Sequence, residues 1–230
     1  MKEFFQGSLF FGVFISLISY EIGIFLKKKL KLIIFNPLLI AIVLTIVFLL
    51  CFDIDYATYE SSAKYLSYLL TPATVSLAIP LYEQFEVLKK NWKALLLGML
   101  SGVLASMLGV LGFAVIFDMD HASYVTMLPK SITTAIGMGV SKEMGGYVAI
   151  TVAVIIITGI IGNIFAEIVC RIFRINDPVA MGIAIGSSSH AMGTARAMEI
   201  GEIQGAMSSL SIVVSGLLTV LGAMAFEHFH

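Results

Sequence analysis

Residues 94–117 read ALLLGMLSGVLASMLGVLGFAVIF, 24 consecutive positions without a charge. A helix needs ~17–25 apolar residues to cross the hydrocarbon core of a bilayer, so this stretch alone has the length of a span. Six other charge-free runs flank it, at 4–20, 32–52, 65–82, 144–166, 178–195 and 203–226, each 17 residues or longer. A transmembrane β-barrel would alternate in segments of about ten residues instead. The reading is an all-α polytopic membrane protein, with 1–230 forming one membrane domain.

Composition agrees. Of 230 residues, 59% are hydrophobic and 13% are charged, about half the charged share of a soluble domain. Mean hydropathy is +0.98. A net charge of −1 leaves no basic face for nucleic acid. Two isolated cysteines, Cys51 and Cys170, make neither a disulfide framework nor a zinc pattern. The first apolar run lacks a small-x-small cleavage site and is read as retained.

Basic residues mark the cytoplasmic side of a membrane. Lys27, Lys28, Lys29 and Lys31 place the first loop inside and the N-terminus outside. Lys89, Lys90 and Lys93 then fall inside, and Asp118, Asp120 and His121 outside. Segment 122–145 contains Pro129, Lys130 and a Ser131-Ile132-Thr133-Thr134 run. If it crossed, Arg171 and Arg174 would lie outside, so it is read as a re-entrant hairpin. The expectation is about seven spans plus that hairpin, with the C-terminus inside; eight full helices is the alternative.

Two stretches resemble each other, TPATVSLAIPLYEQ from Thr71 and GSSSHAMGTARAME from Gly186. Thr74 precedes Ser101 by 27 residues, as Ser188 precedes Ser215. The expected topology makes the halves, approximately 32–117 and 144–228, an inverted repeat with interrupted helices. That is a transporter architecture with substrate at the midplane. Thr71 is expected to cap a half-helix beginning at Pro72, with Pro80 interrupting again. Pro129, Gly186 and Gly193 are the other expected breaks.

Candidate substrate ligands are Thr71, Thr74, Lys130, Ser131, Thr133, Thr134, Ser187, Ser188, Ser189, His190, Thr194 and Arg196. A guanidinium suits a carboxylate, although Arg196 can equally pair with Glu199. A charge at membrane depth is costly and usually functional, which singles out Lys130. Proton coupling or charge balance falls to His190, Glu199 or Glu167. No catalytic residue, metal site or cofactor is expected. The small residues of 98–112 are read as a helix-packing face, and a homo-oligomer in the bilayer is expected.

Three segments, LLTPATVSLAIPLYEQ (69–84), LPKSITTAIGMGVSKEMGG (128–146) and SSSHAMGTARAMEIGE (187–202), resemble the LrgB/CidB family in order and spacing across nearly the whole chain. Bacterial members are called antiholin-like and are linked to murein hydrolase activity and cell lysis, beside a small LrgA/CidA-type membrane partner. Similar sequences form the C-terminal half of the plant plastidial glycolate/glycerate transporter, and bacterial relatives are implicated in pyruvate transport. The resemblance implies either a cell-membrane transporter of small monocarboxylates such as pyruvate, glycolate or lactate, or a lysis regulator acting with that partner.

Overall fold

The computed structural model describes residues 8, 10–30, 36–76 and 78–230, and among these the secondary structure is helical, without strands. Lys31 lies outside the described residues. The chain divides into two compact units, one ending at Ser76 and one starting at Leu77.

The first unit holds α1 (Phe11–Leu30), α2 (Pro37–Cys51), α3 (Tyr56–Ser67) and α4 (Leu70–Ser76). Asn36 starts α2, its Oδ1 accepting from Leu38 and Leu39 N–H at 2.9 and 3.2 Å. Pro37 follows at the first helical position, where a missing N–H costs nothing. α1 packs on α3 where Gly12 lets its own N–H reach Ser62 Oγ at 2.7 Å. A Cβ at Gly12 would stand 2.4 Å from Tyr59 O.

The second unit contains α5 (Ala78–Glu83), α6 (Phe85–Ile116), α7 (His121–Met127), α8 (Thr134–Glu143), α9 (Val148–Ile172), α10 (Pro178–Ile200) and α11 (Glu202–Phe226), closed by a 3-10 turn at Glu227–Phe229. By length and composition, α6, α9 and α11 with its closing turn can each cross a membrane. Their outer faces carry exposed Leu97, Ile116, Ile157, Ile172, Leu217 and Leu221, which suits contact with lipid.

Run 65–82 is not one span. It is divided among the end of α3, the seven-residue α4 and the six-residue α5, and helices of that size reach only ~10 Å. Thr71 lies inside the first turn of α4 rather than ahead of it. Pro72 and Pro80 each occupy the third residue of a short helix, where the N–H has no partner to lose. The side chain of Thr74 lies outside the described residues.

Segment 121–143 forms a hairpin. α7 and α8 are its arms, and Pro129, Lys130 and Ser131 form its tip. Thr126 and Ser141, one on each arm, both meet Thr151 early in α9: Thr151 Oγ1 donates to Thr126 O at 3.0 Å and to Ser141 Oγ at 2.7 Å. Both arms therefore return to the end of the unit where α9 begins.

Run 178–195 differs more. It was expected to cross, yet α10 folds back on itself at His190, whose φ of 43° and ψ of −140° leave helical space. The packing shows the reversal. Gly182 abuts Gln204 and Met207, and Gly186 abuts Ser208 and Ser211, so the first arm runs parallel to α11. Met198 meets Gly205 and Thr194 meets Ser208, so the second arm runs antiparallel to it. Ile185 and Ala197 share one buried cluster with Ala166, although a straight helix would hold them ~18 Å apart. Residues 178–200 are thus a second hairpin with His190 at its tip.

The C-terminus and Lys89–Lys93, expected on one side, lie at opposite ends of this unit. With α10 returning to its starting end, α11 runs from that end of the unit to the other. Tyr124 Oη donates to Phe226 O at 2.8 Å and His230 Nε2 to Met119 O at 2.6 Å. The last residues thus sit beside the end of α6, not at the Lys89–Lys93 end. Val87, Leu88, Val179 and Ile203 meet at that opposite end.

Thr194 braces the second hairpin. Its Oγ1 donates to His190 O at 3.0 Å and lies 2.7 Å from Ser208 Oγ. Thr194→Val keeps the shape and removes both bonds. It is expected to lower stability by about 1 kcal/mol, read as an earlier thermal transition in detergent.

Candidate functional site

α6 presents Asn91, Ala94, Gly98, Ser101, Gly102, Ala105 and Ser106 on one side. The spacing is helical and every residue after Asn91 is small, so this face leaves space. α9 supplies Thr158, Ile161, Gly162, Phe165, Ala166, Val169 and Cys170, and the first arm of α10 supplies Val179, Ala180, Ile183, Ala184, Ile185, Ser187, Ser188 and Ser189. Together with Lys130 and Ser131 they border a partly open cavity of about 850 Å3. The expected packing face is divided: Gly98 and Gly102 lie against Ile183 and Ser187 of α10, five of its small residues also border this cavity, and Gly109 and Gly112 have nothing within 4 Å.

The two tips meet at the cavity from opposite ends of the unit. Gly102 lies against Ser187, whose Oγ would be 3.0 Å from a Cβ there. One turn further along α6, ~6 Å, Ser106 bonds the other tip. Lys130 Nζ donates to Ser106 Oγ at 2.9 Å and to Ser131 Oγ at 3.1 Å, and the two hydroxyls lie 3.1 Å apart. No carboxylate pairs with Lys130 among the described residues. Asp177 also lines the cavity, ahead of α10, where its Oδ1 accepts from Ala180 N–H at 2.9 Å.

On the second tip, Ser187 Oγ donates to Ile183 O and Ser188 Oγ to Ala184 O, both at 2.7 Å, and Ser188 Oγ lies 3.0 Å from Ser189 Oγ. These donors are committed to their own helix, leaving lone pairs for the cavity. His190 points the other way, its Nε2 donating to Ile155 O at 3.1 Å. A non-glycine residue at that φ stores ~1–3 kcal/mol. The tip is held by its surroundings: Asn163 Nδ2 donates to Met192 O at 2.6 Å. Gly159 and Gly162 clear the room. A Cβ at Gly159 would stand 2.7 Å from the His190 ring, and one at Gly162 only 1.6 Å from Ser189 Oγ. Neither glycine was singled out in the sequence, and Ser106 was read only as part of a packing face.

The other expected ligands are not among the residues lining this cavity. Thr133 and Thr134 open α8 and do not line the cavity. Gly186 and Gly193 are packing positions against α11 and against Ile185 and Ser189. Thr71 belongs to the first unit. Arg196 pairs with Glu167 of α9 and Glu199 of its own arm and is not among the cavity-lining residues. Both acids expected to balance charge pair with Arg196. All three side chains are partly exposed, at 29%, 38% and 57% for Arg196, Glu167 and Glu199, so the cluster contributes little. Arg196→Ala is expected to cost at most about 1 kcal/mol of stability and to leave ligand affinity within about threefold, RT ln 3 being ~0.65 kcal/mol. Parallel melting and binding titrations check both.

A family model described as the LrgB-like family matches residues 16–229. Antiholin-like protein LrgB of Bacillus subtilis (strain 168) is 38% identical over 215 residues, covering 93% of each chain. Antiholin-like protein LrgB of Bacillus cereus (strain B4264) is 38% identical over 221 residues, covering 96% of each. The protein of the same name from Bacillus anthracis (strain CDC 684 / NRRL 3495) matches equally. No solved structure matches the chain.

Proposed function

The chain belongs to the LrgB-like family of membrane proteins, and from that premise we propose that it is a secondary transporter of small monocarboxylates. The observation that carries the reading is Lys130. An ammonium at the tip of the first hairpin faces a cavity, with hydroxyl partners and no paired acid among the described residues. Charge at membrane depth is costly unless it is compensated, and an entering carboxylate compensates it one for one. Ser131, Ser187, Ser188 and Ser189 surround the same space and suit the hydroxyl or carbonyl of a 2-hydroxy or 2-oxo acid. Opposed hairpins around a central site match alternating access. If the Lys89–Lys93 end faces the cytoplasm, the C-terminus faces outward.

The test is uptake of labelled pyruvate, glycolate and lactate into proteoliposomes, with and without a small LrgA/CidA-type partner. Saturable uptake supports the reading. No uptake of any of the three by folded protein, alone or with the partner, contradicts it.

A second reading follows from the relatives, which carry the name antiholin-like. On it, the chain regulates murein hydrolase activity or cell lysis in complex with the small membrane partner, and the cavity serves assembly. Loss of lysis control on filling the α6 face, with Lys130→Met silent, favours it.

A further inference from the structure

We infer that Lys130 is itself the proton-coupling group, so that a carboxylate and a proton bind together at one side chain. This rests on the transporter reading and adds the identity of the coupling site.

The geometry is that of a cation built to lose its charge. A lysine that stays charged at membrane depth normally faces an acid. Lys130 faces two hydroxyls, from Ser106 and Ser131, which also lie within bonding distance of each other. A hydroxyl both donates and accepts. The pair therefore accepts from an ammonium and, after rotation, donates to the lone pair of a neutral amine. A carboxylate partner would do only the first. The cavity adds an exit, because Asn91 and Ser106 both line it and stand ~22 Å apart along α6.

Other titratable groups do not take this place. The cavity face of α6 carries none. Cys170 of α9 lies 12 residues beyond Thr158 in the lining, and Asp177 precedes α10 and caps it. His190 is turned onto Ile155 O. Tyr124 of α7 is bonded to Phe226 O, and Lys142 and Glu143 end α8 far from the tip. Glu167 and Glu199 are occupied by Arg196.

The cycle balances. The neutral amine takes a proton from one side, forming an N–H bond, and the ammonium pairs with RCOO−. The hairpins exchange access with no net charge on the pair. RCOO− leaves, the N–H bond breaks, the proton passes to water, and the amine returns neutral. Net movement is one carboxylate with one proton.

The experiment adds sodium pyruvate to purified full-length protein in weakly buffered detergent and follows pH and binding together. At alkaline pH wild type is expected to take up about one proton per pyruvate bound, and at acidic pH none. Affinity is expected to weaken tenfold per pH unit across the alkaline range. Lys130→Arg keeps a charge that does not titrate, and is expected to bind pyruvate without taking up a proton. If the guanidinium does not fit, Lys130→Gln is expected to bind more weakly, again without proton uptake, or not at all. Binding by wild type without proton uptake at any pH overturns this inference alone. So does proton uptake that persists in either variant. If folded wild type binds none of pyruvate, glycolate or lactate, the transporter reading itself fails, and this inference with it.

Discussion

Lys130→Met is expected to reduce carboxylate uptake by about a hundredfold while the protein still folds. A hydrogen bond to a charged group contributes roughly 1.5–3 kcal/mol, which is ~10–150-fold in affinity, and one anion facing one cation loses that whole interaction. Folding is spared for a separate reason. The ammonium has no acid partner among the described residues, so removing it strands no opposite charge, and an apolar chain of similar length in a membrane site is neutral or stabilising. Ser106 and Ser131 keep each other as partners at 3.1 Å. The readout is initial-rate uptake in proteoliposomes beside a melting curve of the same preparation. Wild-type uptake by a folded Lys130→Met protein would remove Lys130 from the site.

Gly162→Val is expected to unseat the second hairpin, with a loss of about 3 kcal/mol or more. Overpacking a filled interior costs ~1–3 kcal/mol where side chains can shift. Here a Cβ would fall 1.6 Å from Ser189 Oγ and 2.3 Å from Ser189 Cβ. Ser189 has little freedom to move, because the next residue is the strained tip, fixed by its bond to Ile155 O and by Thr194. Gly139, in contrast, has nothing within 4 Å, so Gly139→Val is a matched control expected within about 0.5 kcal/mol of wild type. The check is thermal unfolding of both variants in detergent. Equal melting of Gly162→Val and wild type would show that Ser189 does not pack on Gly162.

These two residues also show what was legible in the sequence. Lys130 stood out because a charge flanked by Pro129 and Ser131 has no ordinary reason to be in a membrane. The first hairpin followed from Pro129 and from the sidedness of Arg171 and Arg174. The second did not, because hydropathy measures only the apolar content of a run. Eighteen uncharged residues at 178–195 score alike as one crossing or as most of a folded-back pair. The signal that distinguishes them is the set Gly182, Gly186 and Gly205, which brings both arms onto α11, and it is visible only once the partner residues are known. The polarity of Ser187–Thr194 marked the right place for a break but not its angle. Arg196 was the more persuasive anion ligand on chemistry alone. Its partner Glu199 was legible three residues on, whereas Glu167 comes from another helix and required the fold. Ser106 was hidden in a face of small residues, where space for a ligand and space for a neighbouring helix look identical.

The arrangement of the site requires α10 to enter and leave the membrane on one side. Single cysteines at Lys90, Asn176, Glu202 and Lys142, placed in a background with Cys51 and Cys170 replaced by serine, can be labelled with an impermeant maleimide on sealed vesicles of known orientation. The fold predicts that positions 90, 176 and 202 react from one side and position 142 from the other. Reaction of 176 and 202 from opposite sides would make 178–200 a crossing and contradict the account.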